Sequence, residues 1–377
     1  MSEYMNKAYY HLPGLFEFFE LYRIFLPLFR EHREYFYDWC DIASIYGAPE
    51  GCLWGGGREG VGDTDAEEVL ALMKEYGISS RLTFSNSLLR PEHLANPKCN
   101  ALCTLFEKQE PRCGVIVHSD LLLNYLKEKY PGLYFVSSTT KVLTEFDQLK
   151  AELDRPEFEY VVPDFRLNKA YEDLETLTAR EKDKVEFLCN ECCWVGCRDR
   201  KACYESVSRI NLELYEREAL DRAELQSDSS VWFEQNSNPS GSPEQKSYSP
   251  DLPEQKSNPA GWPEQKSNPS GSSEQNSYPS IESESSCDSA AESVHVCKAP
   301  HSAEGYRFSR AMKSPAFIGI EDIQNYYLPK GFSNFKLEGR TLGSAIVLEF
   351  LLYYMTKPEY QLKVREAIYL DSMLDLF

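Results

Sequence analysis

The stretch GVIVHSDLLLNYLKEKYPGLYFVSST, residues 114–139, decides the fold. GVIV is a short, continuous apolar run with no polar face, which is how a strand buried on both sides reads. Ser119 then sits where an N-cap belongs, and the apolar residues of DLLLNYLKEKY recur at helical spacing before Pro131 and Gly132 stop the helix. LYFVSS is a second buried strand. Strand, amphipathic helix and strand in 26 residues form a βαβ unit, and the crossover makes its two strands parallel.

The rhythm extends in both directions. Upstream, DTDAEEVLALMKEYG at 63–77 reads as an N-capped amphipathic helix closed by Gly77, followed by the strand SRLTF. Downstream come a helix in TEFDQLKAELDRP (144–156), a strand in EYVVPD (159–164), a helix in NKAYEDLETLTARE (168–181) and a strand in KVEFLC (184–189). Farther out, DIASIY supplies a strand near 41–46, AFI a weak one at 316–318, and SNFKLEGR one at 333–337, followed by the apolar helix TLGSAIVLEFLLYYM. The eight strands predict an α/β protein, a TIM-barrel-like (β/α)8 fold. Residues 1–36 are expected to be an N-terminal helix packed on the barrel. Residues 37–225 form its first part and 294–377 its last part with the C-terminal helices.

Between those parts lies a segment of different composition. From Glu234, Glu244, Glu254, Glu264 and Glu274 run five tandem ten-residue copies rich in Pro, Ser and Gly, such as EQKSNPAGWP. They carry no periodic apolar positions, so 226–293 is expected to be a long disordered insertion before the last strands.

The formal charge of -20 disfavours nucleic acid as a partner. RDRK at 198–201 is the one dense basic run and reads as a solvated helix start. No stretch of eighteen uninterrupted apolar residues is present, which argues against a spanning helix. Glu17, Glu20 and Arg23 interrupt the apolar N-terminal run, so it does not read as an export signal, and the expected compartment is the reducing cytoplasm.

Twelve cysteines are too few for a disulfide scaffold, and five of them, Cys189, Cys192, Cys193, Cys197 and Cys203, crowd into VEFLCNECCWVGCRDRKACY at 185–204, with Cys297 beyond the insertion. Thiolates are soft ligands suited to zinc or to iron-sulfur clusters, and buried free thiols are the plain alternative. Cys99, Cys103 and Cys113 read as small core residues. In a (β/α)8 barrel the reacting groups stand at the C-terminal ends of strands. That position selects Ser85 and Asn86, His118, Ser138 with Thr139 and Thr140, Asp164, Asn190, and Glu338 with Arg340. Each has a plain alternative as a cap or a loop hydrogen-bonder. The glycines Gly55–Gly57 read as a loop, since no P-loop Lys-Ser/Thr follows them.

SNFKLEGR followed by an apolar helix, together with the strand-to-cysteine junction, resembles the collagenase-like peptidase family U-thirty-two. The resemblance covers 40–220 and 297–357 loosely and is specific at NFKLEGR and at that junction. It implies a barrel in which four cysteines hold a 4Fe-4S cluster that supports a redox or hydroxylation-type modification of a small or peptide-linked substrate, with an electron-donor protein as partner. Other members are described as peptidases, and a peptidase or peptide-binding protein with structural cysteines or zinc is the alternative. Carried over by position, Lys336, Glu338 and Arg340 match the family strand and Cys193 and Cys197 its first cysteine pair. Cys203 and Cys297 are expected to complete the set, with Cys189 as substitute. The family's His-Gly-Ala before the first cysteine is replaced here by CNECC, which marks a divergent member. The resulting expectation assigns Asp164, Glu338 and Arg340 to catalysis and Asn86, His118, Thr139 and Asn190 to substrate binding.

Overall fold

A computed structural model describes residues 7–57, 64–235, 297–298, 300 and 302–374. Its eight strands are β1 (Ala8–Pro13), β2 (Cys40–Gly47), β3 (Ser79–Phe84), β4 (Gly114–Val117), β5 (Tyr134–Ser137), β6 (Phe158–Val161), β7 (Glu186–Leu188) and β8 (Asn334–Lys336). All neighbours are parallel, in the spatial order β6-β5-β4-β3-β2-β1-β8-β7. A parallel bridge between Val161 and Val185 joins the two ends, so the sheet closes into the expected (β/α)8 barrel.

Local chemistry accounts for most of the elements. Every residue of β4 and β5 is buried, as continuous apolar strands between two layers must be. Asp65, Asn96 and Ser119 each accept a hydrogen bond from a first-turn backbone N–H and so start the helices Ala66–Tyr76, Pro97–Phe106 and Asp120–Lys129. Gly77 closes the first of these in the left-handed conformation. Thr178 and Glu181 form a capping box, which splits the expected single helix after β6 into Tyr171–Glu175 and Ala179–Lys184.

Two strand assignments change. The N-terminal region is more than a helix: AYYHLP forms β1, which pairs with β2 on one side and β8 on the other, before the helix Phe19–Glu31. The run at 316–318 is in no strand; there the Ile318 N–H donates to the Cys189 carbonyl at 3.0 Å, just past the end of β7. The count of eight stands with one member exchanged.

The chain divides into Met1–Arg222 with Val294–Phe377, which is the barrel, and Ala223–Ser293. A long helix occupies Arg200–Gln235, and the repeat sequence beyond Gln235 lies outside the described residues. Among the described residues no helix is long and apolar enough to cross a membrane.

Candidate functional site

The exits of β7 and β8 are bound to each other. Asn190 donates from Nδ2 to the Glu338 carbonyl at 3.0 Å and accepts from the Glu338 N–H at 2.7 Å, while the Tyr306 hydroxyl donates to the Asn190 carbonyl at 3.0 Å. Asn190 is thus a two-point clamp, and it fixes where the loop after β7 begins.

That loop is irregular, so its side chains are aimed by hydrogen bonds. Glu191 accepts from the Cys193 N–H at 2.9 Å and from Arg200 Nη2 at 2.5 Å. Burial alone would raise the Glu191 pKa, but Arg200 and further hydrogen bonds, one of them to Glu338, hold it down at about 2. Asp164 is fully buried, caps the Arg166 N–H and pairs with Arg166 Nε at 2.6 Å and Arg200 Nε at 3.4 Å. Arg166 in turn donates from Nη1 to the Cys197 carbonyl at 2.9 Å. Asp164 therefore supports the loop and lines neither cavity described below.

The loop and the segment after residue 297 enclose a cavity of about 500 Å³ lined by Cys192, Cys193, Cys197, Cys203 and Cys297. Trp194, Val195, Pro300 and Pro315 give it apolar walls, and Arg200, Arg310 and Lys313 bring positive charge. Because the backbone is irregular here, the adjacent Cys192 and Cys193 both reach it. Burial pushes the Cys192 thiol up to about 12, with Glu338 and Glu191 adding to the rise. Burial likewise takes Cys193 to about 11 against the pull of Arg200, and Cys197 contributes to the rise. Cys203 is raised by burial and then by Cys297 and Cys197. Cys193, Cys197, Cys203 and Cys297 are thus linked electrostatically in a chain of neighbours. Among the described residues no three His, Cys, Asp or Glu groups are close enough together to hold a single metal ion.

Cys189, the expected substitute, is elsewhere: it is fully buried in the core, and its thiol donates to the Phe187 carbonyl at 3.4 Å. Cys99, Cys103 and Cys113 are core residues as expected. In the RDRK run, Arg200 is buried in the ion pairs already described and opens the long helix.

Next to the thiol cavity, the barrel mouth holds a second cavity of about 330 Å³. Its lining comes from the strand exits: Tyr46 and Thr83, Ile116, Thr139 and Thr140, Val162, Leu188, Lys336, Glu338 and Arg340. Glu191, Tyr204 and Glu338 line both cavities. Of the expected site residues, Thr139, Glu338 and Arg340 are therefore brought together here. Asn86 and His118 are not: Asn86 donates to the Leu53 carbonyl at 2.9 Å and to Asn211 at 3.2 Å, and His118 Nδ1 lies 2.8 Å from the Thr140 hydroxyl. Burial, aided by Lys141 and Lys201, lowers the His118 pKa to about 4. Gly56 and Gly57 both have positive φ, and a Cβ on either would stand under 3 Å from backbone of Asn86 or Val207, so these glycines serve close packing of the loop.

Under the mouth cavity the barrel lumen is charged. Glu186 pairs with Arg81 at 2.5 Å, Lys336 at 3.0 Å and His11 at 3.6 Å, all of them buried. His11 also contacts the Ser44 hydroxyl at 2.8 Å, and Arg81 Nε donates to the Tyr134 hydroxyl at 2.7 Å. Sequence reasoning from strand ends missed this network and the pair Glu191–Arg200. The signal available was an ionisable residue in the interior of a strand segment: His11 in AYYHLP, Arg81 in SRLTF and Glu186 in KVEFLC.

A larger cavity, about 750 Å³, opens at the opposite end, between Tyr9, Arg33, Ile42, Asp183 and Asn334. Reacting groups in such barrels project from the C-terminal ends of the strands, so size does not make this the candidate site. The fold and site define a (β/α)8 barrel protein with a thiol-lined cavity at the C-terminal ends of its strands. No family model matches the chain, and no curated protein matches it. A solved structure described as "The Structure of the U32 Peptidase Mk0906" is similar at a TM-score of 0.37 and 16% identity, over 57% of this chain and 81% of that one.

Proposed function

We propose that the chain is an iron-sulfur barrel protein in which Cys193, Cys197, Cys203 and Cys297 hold a 4Fe-4S cluster beside a substrate pocket. The observation that carries this reading is that all four cysteines line one cavity sharing Glu191, Tyr204 and Glu338 with the barrel-mouth cavity. The donor set fits: sulfur ligands are the natural ones for such a cluster, and Arg200, Arg310 and Lys313 line the same cavity and offset its negative charge. Bound there, the cluster supplies one-electron chemistry next to the mouth.

The chain's own residues then divide the work. Arg340 offers a charge-assisted hydrogen bond to an anionic group of a small or peptide-linked substrate, and Thr139 supplies a hydroxyl. Glu338, on the wall between the cavities and hydrogen-bonded to the ionised Glu191, is the group placed to hold and deliver a proton. Asp164 orients the loop through Arg166. The activity proposed is a redox or hydroxylation-type modification fed by an electron-donor protein. Anaerobic purification with iron and sulfide analysis tests it. The expected result is a brown protein with iron and sulfide in equal amounts, lost in Cys197→Ser; an iron-free protein carrying zinc overturns it.

A further inference from the structure

The lumen network leaves one positive charge too many, and the excess falls on a group that faces the mouth cavity. Glu186 is the carboxylate at its centre, flanked by Arg81, Lys336 and His11. His11 stays neutral, because burial together with Arg81 lowers its pKa to about 3. Two cations therefore share one carboxylate. A guanidinium does not release its proton, whereas an ammonium does. Burial lowers the Lys336 pKa to about 8, with Arg81 and Arg340 pushing the same way and Glu186 resisting. At neutral pH that gives on the order of a hundredfold more free amine than an ordinary lysine.

Geometry presents that amine to a ligand. Lys336 is the last residue of β8 and lines the mouth cavity. Its Nζ lies 3.5 Å from the centre of the Tyr46 ring, and Tyr46 is itself fixed by donating its hydroxyl proton to the Leu337 carbonyl at 2.6 Å. The Arg340 guanidinium lies 5.9 Å from the centre of the same ring and lines the same cavity. A reactive amine and a permanent cation thus flank one aromatic side chain, with the Thr139 and Thr140 hydroxyls and the apolar Ile116 and Val162 among the other walls.

We infer that Lys336 is a carbonyl-reactive amine and that the mouth cavity takes a small 2-oxo acid, whose carboxylate pairs with Arg340 while its carbonyl condenses with Nζ. In that step the Nζ lone pair adds to the carbonyl carbon, and the carbonyl oxygen leaves as water with the two protons of the amine. A C=N bond replaces C=O, and no oxidant or reductant takes part. The imine then acidifies the carbon next to it. This activity goes beyond the cluster chemistry proposed above and needs none of the cysteines.

The test incubates the full chain with pyruvate and sodium cyanoborohydride, which reduces the imine to a stable secondary amine, and maps the labelled peptide by mass spectrometry. The expected result is one adduct per chain, on Lys336, formed at a rate that falls as pH drops below about 8 and is absent in Lys336→Arg. Arg340→Gln is expected to slow pyruvate labelling about tenfold more than labelling by acetone, the value of one charge-assisted hydrogen bond to the carboxylate, because both reagents share whatever the loss of Arg340 does to the amine. Label spread over other lysines, or none on Lys336, overturns the inference. Because the wild-type map locates the adduct, the test decides even if Lys336→Arg does not fold. Labelling that persists in a chain with Cys197→Ser separates this activity from the cluster.

Discussion

The barrel lumen and the loop after β7 stand three residues apart in sequence and handle polar groups in opposite ways. In the lumen Glu186 on β7 is enclosed by Lys336 on β8, His11 on β1 and Arg81 on β3, and each group has a partner at hydrogen-bond or ion-pair distance. In the loop the thiols of Cys192 and Cys193 are pushed up to about 12 and about 11 by burial, and nearby carboxylates and thiols add to the rise. The first arrangement gives every group a partner, although two cations share the one carboxylate, and it holds the strands in place. The second is poorly suited to thiolates unless further positive charge arrives, which a metal centre brings.

Substitutions should separate the two regions. Glu186→Gln leaves Arg81 and Lys336 buried without their carboxylate, and a loss of about 3–5 kcal/mol in urea unfolding is expected. A midpoint that hardly moves would break the contrast. Acid should attack the same region. His11 has a folded pKa depressed to about 3 from 6.5, so its contribution is full above pH 6.5 and is lost as pH falls toward 3. By pH 4 the loss is up to about 3 kcal/mol, and His11→Asn should flatten that limb of the stability curve. Arg166→Ala removes the donor to the Cys197 carbonyl, with about 1–2 kcal/mol expected and faster hydrogen exchange at 193–199. Cys203→Ser should change stability by less than about 0.5 kcal/mol while reducing bound iron by more than half. If Cys203→Ser instead unfolds the chain, the loop thiols are structural and the contrast fails.

The barrel was legible because parallel strands buried on both faces read as apolar runs between capped helices, and GVIV and LYFVSS show this without ambiguity. β1 was not, since AYYHLP is six residues long, holds a histidine and precedes a strongly helical apolar segment. Its histidine makes sense only once Glu186 stands beside it. AFI at 316–318 is apolar for a different reason: Phe317 packs against Tyr353 and Tyr354 in the core, and Ile318 is buried at the end of β7. The cysteine loop was legible because its residues cluster in sequence, and Glu338 and Arg340 because strand ends can be located. Asp164 was read as a reacting group, but its partners Arg166 and Arg200 tie it into the loop's support. Closure of the barrel brings these charges together, and a single sequence does not display that.

The position of β1 between β2 and β8 has a consequence for how the chain is made. Tyr9 pairs with Asn334, so β1 finds its second neighbour only after more than three hundred further residues have been synthesised. Until then β1 presents an unpaired, largely apolar edge through the translation of everything between, the ten-residue repeats included. Each added repeat lengthens that interval, and with it the time over which the nascent chain exposes an edge open to aggregation.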